Sequence, residues 1–297
     1  MIIVIVGPTC TKKTLAAIEV ALKMDGEIIN ADAFQCYKQL NIGVAKPTPE
    51  EMKLVPHHLF SFCNVDTKFS IADYQKLVRR KIEEIKSRGK NVILVGGSGL
   101  YIRSLLYDYE FINNENAIDN EDKYSKYNNE ELHNLLLDVD PIEAKKIHPN
   151  NRKRVIRALT IYEQFNKTKS EIIAEQKHNL IYSDVYIVSP LTNREELYNR
   201  INSRVNSMIE NGLVDEVKNL YDKYDSNLQS LQAIGYKEFG DYFLCKKTLN
   251  ETIEIIQKNT RNYAKRQITF VKHQFNNVFY YKDIDDLLMY LGGISKC

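Results

Sequence analysis

A chain of 297 residues with 43% hydrophobic and 27% charged side chains has the material for one large domain, or one domain carrying an insertion. A net charge of only +2 excludes a uniformly basic nucleic-acid binder, so any RNA contact must come from local basic stretches. Five cysteines, an odd number without zinc spacing, and no apolar run near the roughly 18 residues of a membrane helix point to reduced thiols, a cytoplasmic location and no membrane contact.

The first element is the apolar run Ile2–Val6, read as a buried strand. It runs into Gly7-Pro8-Thr9-Cys10-Thr11-Lys12-Lys13-Thr14, and a helix pattern follows over 14–24. A phosphate-binding P-loop reads G-x-x-x-x-G-K-[ST] after a strand and before a helix. Gly7, Lys13 and Thr14 fall in place; Lys12 occupies the slot of the second glycine. Such a turn aims backbone N–H groups and a helix N-terminus at one spot, which suits phosphate or diphosphate. Lys13 would sit beside the terminal phosphate, and the Thr14 hydroxyl would hold Mg²⁺.

Further strands are read at 27–32, 91–97 and 185–190. Ser70 and Asp73 are spaced as a capping box for a helix over 70–89, and Gly89 is its stop signal. Strands alternating with helices predict a parallel sheet covered on both faces. The strand 92–95 ends in Gly96-Gly97-Ser98-Gly99 without a carboxylate; Asp32 is the strand-end carboxylate of this half. It reads either as a helix N-cap or as a base or metal organiser at the sheet's C-terminal edge. One carboxylate favours group transfer over plain nucleotide hydrolysis. His57-His58 lacks further ligands at metal spacing and reads as structural.

Near residue 108 the pattern changes to an acidic, Asn-rich linker, 108–131. Helical stretches follow at 131–139, 141–148 and 152–165 before the next strand. The organisation is therefore an α/β core over 1–108, a linker with an all-helical insertion over 109–182, and the rest of the core with C-terminal helices over 183–297. The later helices are 194–221, broken at Gly212, and about 250–272.

Several runs together resemble the tRNA dimethylallyltransferase family. Asp32-Ala33-Phe34-Gln35-Cys36-Tyr37 and Asn41-Ile42-Gly43-Val44-Ala45-Lys46-Pro47 are similar to its D-S-x-Q-x-Y and D-I-G-T-A-K-P motifs. Val95-Gly96-Gly97-Ser98-Gly99-Leu100-Tyr101 resembles V-G-G-T-G-L-Y, and His148 to Leu159 resembles H-P-N-D-x-R-R-x-x-R-A-L. Leu197 to Val205, Ala233 to Glu238 and Thr260 to Thr269 match further motifs in order, so the likeness spans about 2–275.

The resemblance implies a P-loop NTPase-like α/β fold with a helical insertion that grips the anticodon stem-loop. It implies transfer of a dimethylallyl group from its diphosphate to N6 of the adenosine 3′ of the anticodon, releasing diphosphate. On that reading Asp32 is the base and Ser98 and Lys13 assist. Gly7 to Thr14 with Arg200 and Arg204 hold the diphosphate, and Thr14 holds Mg²⁺. Asp32, Ala33, Phe34, Gln35, Lys153, Arg154, Arg157, Lys265 and Arg266 meet the tRNA, and the enzyme is a monomer. ATP binding is a further property of such a loop. The departures are Lys12, Ala33 for serine, Gln39 for glycine, Val44 for threonine, and Thr269-Phe270-Val271-Lys272 for T-W-F-R. They leave open a catalytically weakened RNA-binding paralogue. A small-molecule kinase, or a prenyltransferase acting on free adenine nucleotides, gives no account of the basic helices.

Overall fold

The strand β1 (Ile2–Val6) has no polar alternation, and all five residues are buried. Only a strand covered on both faces tolerates that pattern. The computed structural model describes residues 1–109, 111, 121–176 and 179–294. After β1 come α1 (Lys13–Lys23), β2 (Gly26–Asn30), α2 (Pro49–Leu54) and β3 (His57–His58). Then follow α3 (Ile71–Ser87), β4 (Asn91–Gly96) and α4 (Gly99–Leu106). The second half of this unit holds β5 (Val185–Pro190), reached after five helices of another unit.

Those five are α5 (Glu121–Tyr124), α6 (Asn129–Val139), α7 (Pro141–Ala144), α8 (Arg152–Phe165) and α9 (Lys169–Glu175). Beyond β5 lie α10 (Arg194–Glu210), α11 (Leu213–Tyr221), a 3-10 turn at Gln229–Gln232 and α12 (Phe239–Phe243). The chain continues through α13 (Leu249–Gln274), β6 (Phe279–Tyr281) and α14 (Ile284–Ile294).

The sheet is parallel throughout, in the order β3-β2-β4-β1-β5-β6. Its register sets Ile3 beside Ile93 and Tyr186, and Ile28 beside Ile93. One face packs Ile3, Ile5, Ile28 and Ile93 against α1 and α14 through Ala17, Ile18, Leu287 and Leu291. Each such aliphatic side chain contributes about 1.5–3 kcal/mol on burial. The capping box of α3 forms: Asp73 N–H donates to Ser70 Oγ at 3.1 Å and Ser70 N–H to Asp73 Oδ2 at 3.0 Å. Gly212 is left-handed at φ 93, and this separates α10 from α11.

The chain divides into a unit of Met1–Leu106 with Tyr182–Cys297 and a second unit, Tyr107–Ile181. The boundaries read from the sequence lie one or two residues later. The second unit is helical, cored by Leu132, Leu136, Val155 and Leu159 with Tyr124. Part of the expected linker, residues 110 and 112–120, lies outside the described residues, and its later part forms α5 and the start of α6. Among the described residues no helix is long and apolar enough to cross a membrane.

Candidate active site

Parallel strands deliver their C-terminal ends to one edge of a sheet, and ligands bind there. The P-loop leaves β1, Asp32 follows β2, and Gly97-Ser98 follow β4, so all three stand at that edge. The P-loop backbone turns left-handed at Cys10, φ 63, and again at Lys12, φ 57. The slot that usually holds glycine thus keeps the glycine conformation, at a cost of about 1 kcal/mol for a residue with a Cβ. The Lys12 side chain is exposed and caps no helix group.

The loop is braced from inside. Thr11 Oγ1 donates to Pro8 O at 2.8 Å and Lys13 Nζ donates to the same oxygen at 2.5 Å. Burial, then the charge of Arg204, pull the Lys13 ammonium down to about 8, against the opposing pull of Asp32. Arg204 Nη1 lies 3.5 Å from Thr9 Oγ1 and 3.6 Å from Cys10 Sγ. Two cations therefore share the P-loop end of the site.

Asp32 is held by its neighbours. Asn30 Oδ1 accepts from Asp32 N–H at 2.9 Å, and Asp32 Oδ1 accepts from Phe34 N–H at 2.9 Å. Burial raises the Asp32 carboxyl above the ordinary carboxylate range; the Phe34 and Gln35 amides, Lys13 and Arg204 oppose that rise. A carboxylate with raised proton affinity is a better general base. Ser98 Oγ accepts from Ala33 N–H at 3.2 Å, so it fixes the backbone next to the carboxylate. Burial and then Asp32 push the Tyr263 phenol up to about 12, with Ser98 and Gln267 opposing the rise.

Gln267 joins the two ends. Its Oε1 accepts from Thr9 N–H at 3.0 Å, and its Nε2 donates to Gly97 O at 2.9 Å. A Cβ on Gly97 would stand 2.1 Å from that Nε2, so a side chain there would displace the Gln267 amide.

Lys13, Asp32, Gly97, Arg204, Tyr263 and Gln267 line one cavity of about 370 Å³. Thr9 to Thr14 line it, whereas Gly7 and Pro8 stand behind. Along α10 the cavity-facing set is Ile201, Arg204, Val205 and Met208, the spacing of one helix face. Arg200 is not in that set: it is exposed and its Nη2 pairs with Glu196 at 2.8 Å. Of the two arginines expected from sequence to form one clamp, Arg204 lines the cavity and Arg200 does not.

Asp32, Phe34, Gln35 and Arg266 also line the cavity, while Ala33 and Ser98 sit at its back and Lys265 lies outside it. Gln35 uses its amide on the protein itself, donating to Val44 O at 3.0 Å and Ala45 O at 3.1 Å. In the second unit Lys153, Arg154 and Arg157 are exposed on α8. Their neighbour Arg152 instead anchors that unit through the carbonyls of Tyr127, at 2.8 Å, and Tyr124, at 2.6 Å.

Sequence reasoning did not single out Glu216. Its carboxylate accepts from the amides of Asn41, Ile42 and Gly43 at 3.2, 3.0 and 3.3 Å, and from Tyr236 Oη at 2.6 Å. It thereby fixes the Gly43–Ala45 wall of the cavity. Tyr236 and Gln267 stood in quoted motifs; nothing marked Glu216 apart from other polar helix residues. His57 and His58 form the edge strand β3, with His57 Nδ1 against Val55 O at 2.8 Å and His58 Nε2 against Glu27 at 2.6 Å.

A parallel sheet with a strand–turn–helix cradle, two cations and a buried carboxylate around one cavity defines a P-loop-type α/β enzyme built for group transfer. The family model described as IPP transferase matches residues 35–274. The chain belongs to that family, the tRNA dimethylallyltransferases. It is 42% identical over 300 residues to a tRNA dimethylallyltransferase of Anoxybacillus flavithermus, covering 98% of this chain and 96% of the relative. It is similar to the crystal structure of tRNA delta(2)-isopentenylpyrophosphate transferase from Staphylococcus epidermidis. That likeness has a TM-score of 0.74 and 38% identity, covering 99% of this chain and 98% of the other. A eukaryotic dimethylallyltransferase acting on tRNA matches at a TM-score of 0.81 and 29% identity, covering 99% of this chain and 77% of that one.

Proposed function

We propose that the chain transfers a dimethylallyl group from dimethylallyl diphosphate to N6 of the adenosine 3′-adjacent to the anticodon of tRNA, releasing diphosphate. The observation that carries this reading is one cavity with a raised carboxylate, Asp32, and the cations Lys13 and Arg204 along its wall. The adenine amine is a weak nucleophile because its lone pair is delocalised. Asp32 takes its proton as N6 bonds to the allylic carbon. The bond from that carbon to the diphosphate oxygen breaks, and the electron pair leaves with the diphosphate. P-loop amides, Lys13 and Arg204 stabilise the departing charge.

The donor set also fits Mg²⁺ delivered with the diphosphate. Mg²⁺ keeps several waters and needs only one or two protein oxygens beside the phosphates. Thr14, lining the cavity next to Lys13, supplies a hydroxyl of that kind. When bound, the ion offsets negative charge on the diphosphate oxygens. The target base must leave its stack to enter a cavity. The exposed basic residues Lys153, Arg154 and Arg157 are offered as contacts for the RNA backbone, and Phe34 as a contact for bases.

The test is transfer of labelled dimethylallyl to an anticodon stem-loop. Asp32→Ala is expected to lower transfer by about 10²–10⁴-fold while inorganic diphosphate still binds. Unchanged turnover in that variant would remove Asp32 as the base. Binding of RNA by the wild type without incorporation would favour the weakened paralogue.

A further inference from the structure

One polar cluster takes no part in the transfer described above. Tyr198 on α10 packs with Cys10 against the buried side chains of Leu197, Ile201 and Ala264. Arg194 Nε donates to its hydroxyl at 3.1 Å. The Arg194 guanidinium and the Lys265 ammonium also lie over the ring, 5.4 and 5.8 Å from its centre. Neither cation has a carboxylate at ion-pair distance among the described residues.

The hydrogen-bond inventory of a phenol decides what this cluster offers. A hydroxyl has two lone pairs and one proton. With Arg194 donating, one lone pair is used and the proton is left to give. Burial raises the phenol, but the Arg194 bond and the charges of Arg194 and Lys265 outweigh it and hold Tyr198 below its ordinary value. An O–H polarised in this way, flanked by two cations, suits an anionic oxygen, since charge-assisted hydrogen bonds are the stronger kind. A stacked base is less well served, because both cations already occupy space over the ring.

The neighbourhood selects the anion. Cys10, packed in the same cluster, lines the P-loop end of the cavity. Further along α10, Arg204 reaches Thr9 and Cys10 from the same helix. We propose that Tyr198, Arg194 and Lys265 form an outer station for a diphosphate group, adjacent to the P-loop and distinct from it. The proposal rests on the transferase reading, in which a diphosphate must reach the P-loop and later leave it. It gives Lys265 an occupant other than the RNA expected from sequence.

Tyr198→Phe keeps the ring and its packing and removes the one free proton; Arg194→Gln alters only an exposed head group. In a titration of the full chain with inorganic diphosphate and Mg²⁺, the wild type is expected to bind a second, weaker equivalent. Tyr198→Phe should weaken that equivalent by roughly ten- to a hundredfold, as for a hydrogen bond to a charged group, and Arg194→Gln should weaken it as well. Melting temperatures report whether the variants are folded, and Arg194→Gln carries the test if Tyr198→Phe is not.

Transfer kinetics separate the two sources of the anion. A fall in kcat/KM for dimethylallyl diphosphate assigns the station to the incoming donor; weaker inhibition by inorganic diphosphate assigns it to the departing product. The proposal is overturned if the wild type binds no second equivalent, if neither variant changes it, or if anticodon stem-loop RNA displaces it and loses affinity in the variants. The titration needs no turnover, so a wild type that binds diphosphate twice and transfers nothing would sink the transferase reading alone.

Discussion

Two loops face the cavity, and both are concave rows of backbone amides. The segment 41–43 points three amides at one place and fills it with the protein's own anion, the Glu216 carboxylate. The P-loop turns left-handed at Cys10 and Lys12, and among the described residues no carboxylate accepts from its amides. Its Lys13 ammonium reaches only its own loop, at Pro8 O, and Arg204 closes from α10. The difference shows how one backbone device serves two ends. A nest filled from within is a fixed wall, and a nest kept for a ligand is a binding site whose charge must be held in reserve.

The comparison breaks most completely at Lys13. Lys13→Met should reduce transfer by about 10²–10³-fold through lost stabilisation of the leaving charge, with little loss of melting temperature because a buried cation is removed. An equally large drop in stability would make the P-loop a wall like the other. Glu216→Ala should do the reverse. It strips the acceptor from three amides and Tyr236, and unfolding should become easier by about 2 kcal/mol, read in denaturant melts. Diphosphate affinity should change much less than stability.

The pH profile sharpens the same contrast. Asp32 must be unprotonated and its carboxyl is raised by burial, so kcat/KM should fall on the acid side at a pH above that of an ordinary carboxylate. Lys13 must be protonated and is pulled down to about 8, so the alkaline limb should begin there. Each limb should approach about tenfold per pH unit. A flat rate up to pH 10 would remove Lys13 from the step. The smallest effect belongs to Lys12→Gly. Relief of the left-handed strain should add at most about 1 kcal/mol, or about 2 °C in Tm. The more telling readout is diphosphate affinity, which should fall slightly if the extra ammonium attracts the ligand.

Much of this architecture was legible in the chain. The apolar runs at 2–6, 91–97 and 185–190 and the Ser70–Asp73 box gave β1, β4, β5 and α3 within a residue or two. Local pattern sufficed there because burial on both faces and capping are local constraints. The edge strands His57–His58 and Phe279–Tyr281 were missed because two or three residues carry no period. Their pairing is decided by the neighbouring strand. The site divides in the same way. The P-loop and Asp32 announce themselves beside strands, whereas Glu216 meets the amide of Ile42 across 174 positions of chain. Arg200 and Arg204 looked equivalent in spacing, and only the packing of α10 fixed which one faces inward.

The bond from Thr9 N–H to Gln267 Oε1 spans 258 positions. On the ribosome the P-loop is made well before its partner. At typical elongation rates the loop waits roughly 13–50 s for Gln267. A nascent chain stopped before α13 would carry every letter of the phosphate motif and lack the bridge that ties it to the Gly97 turn.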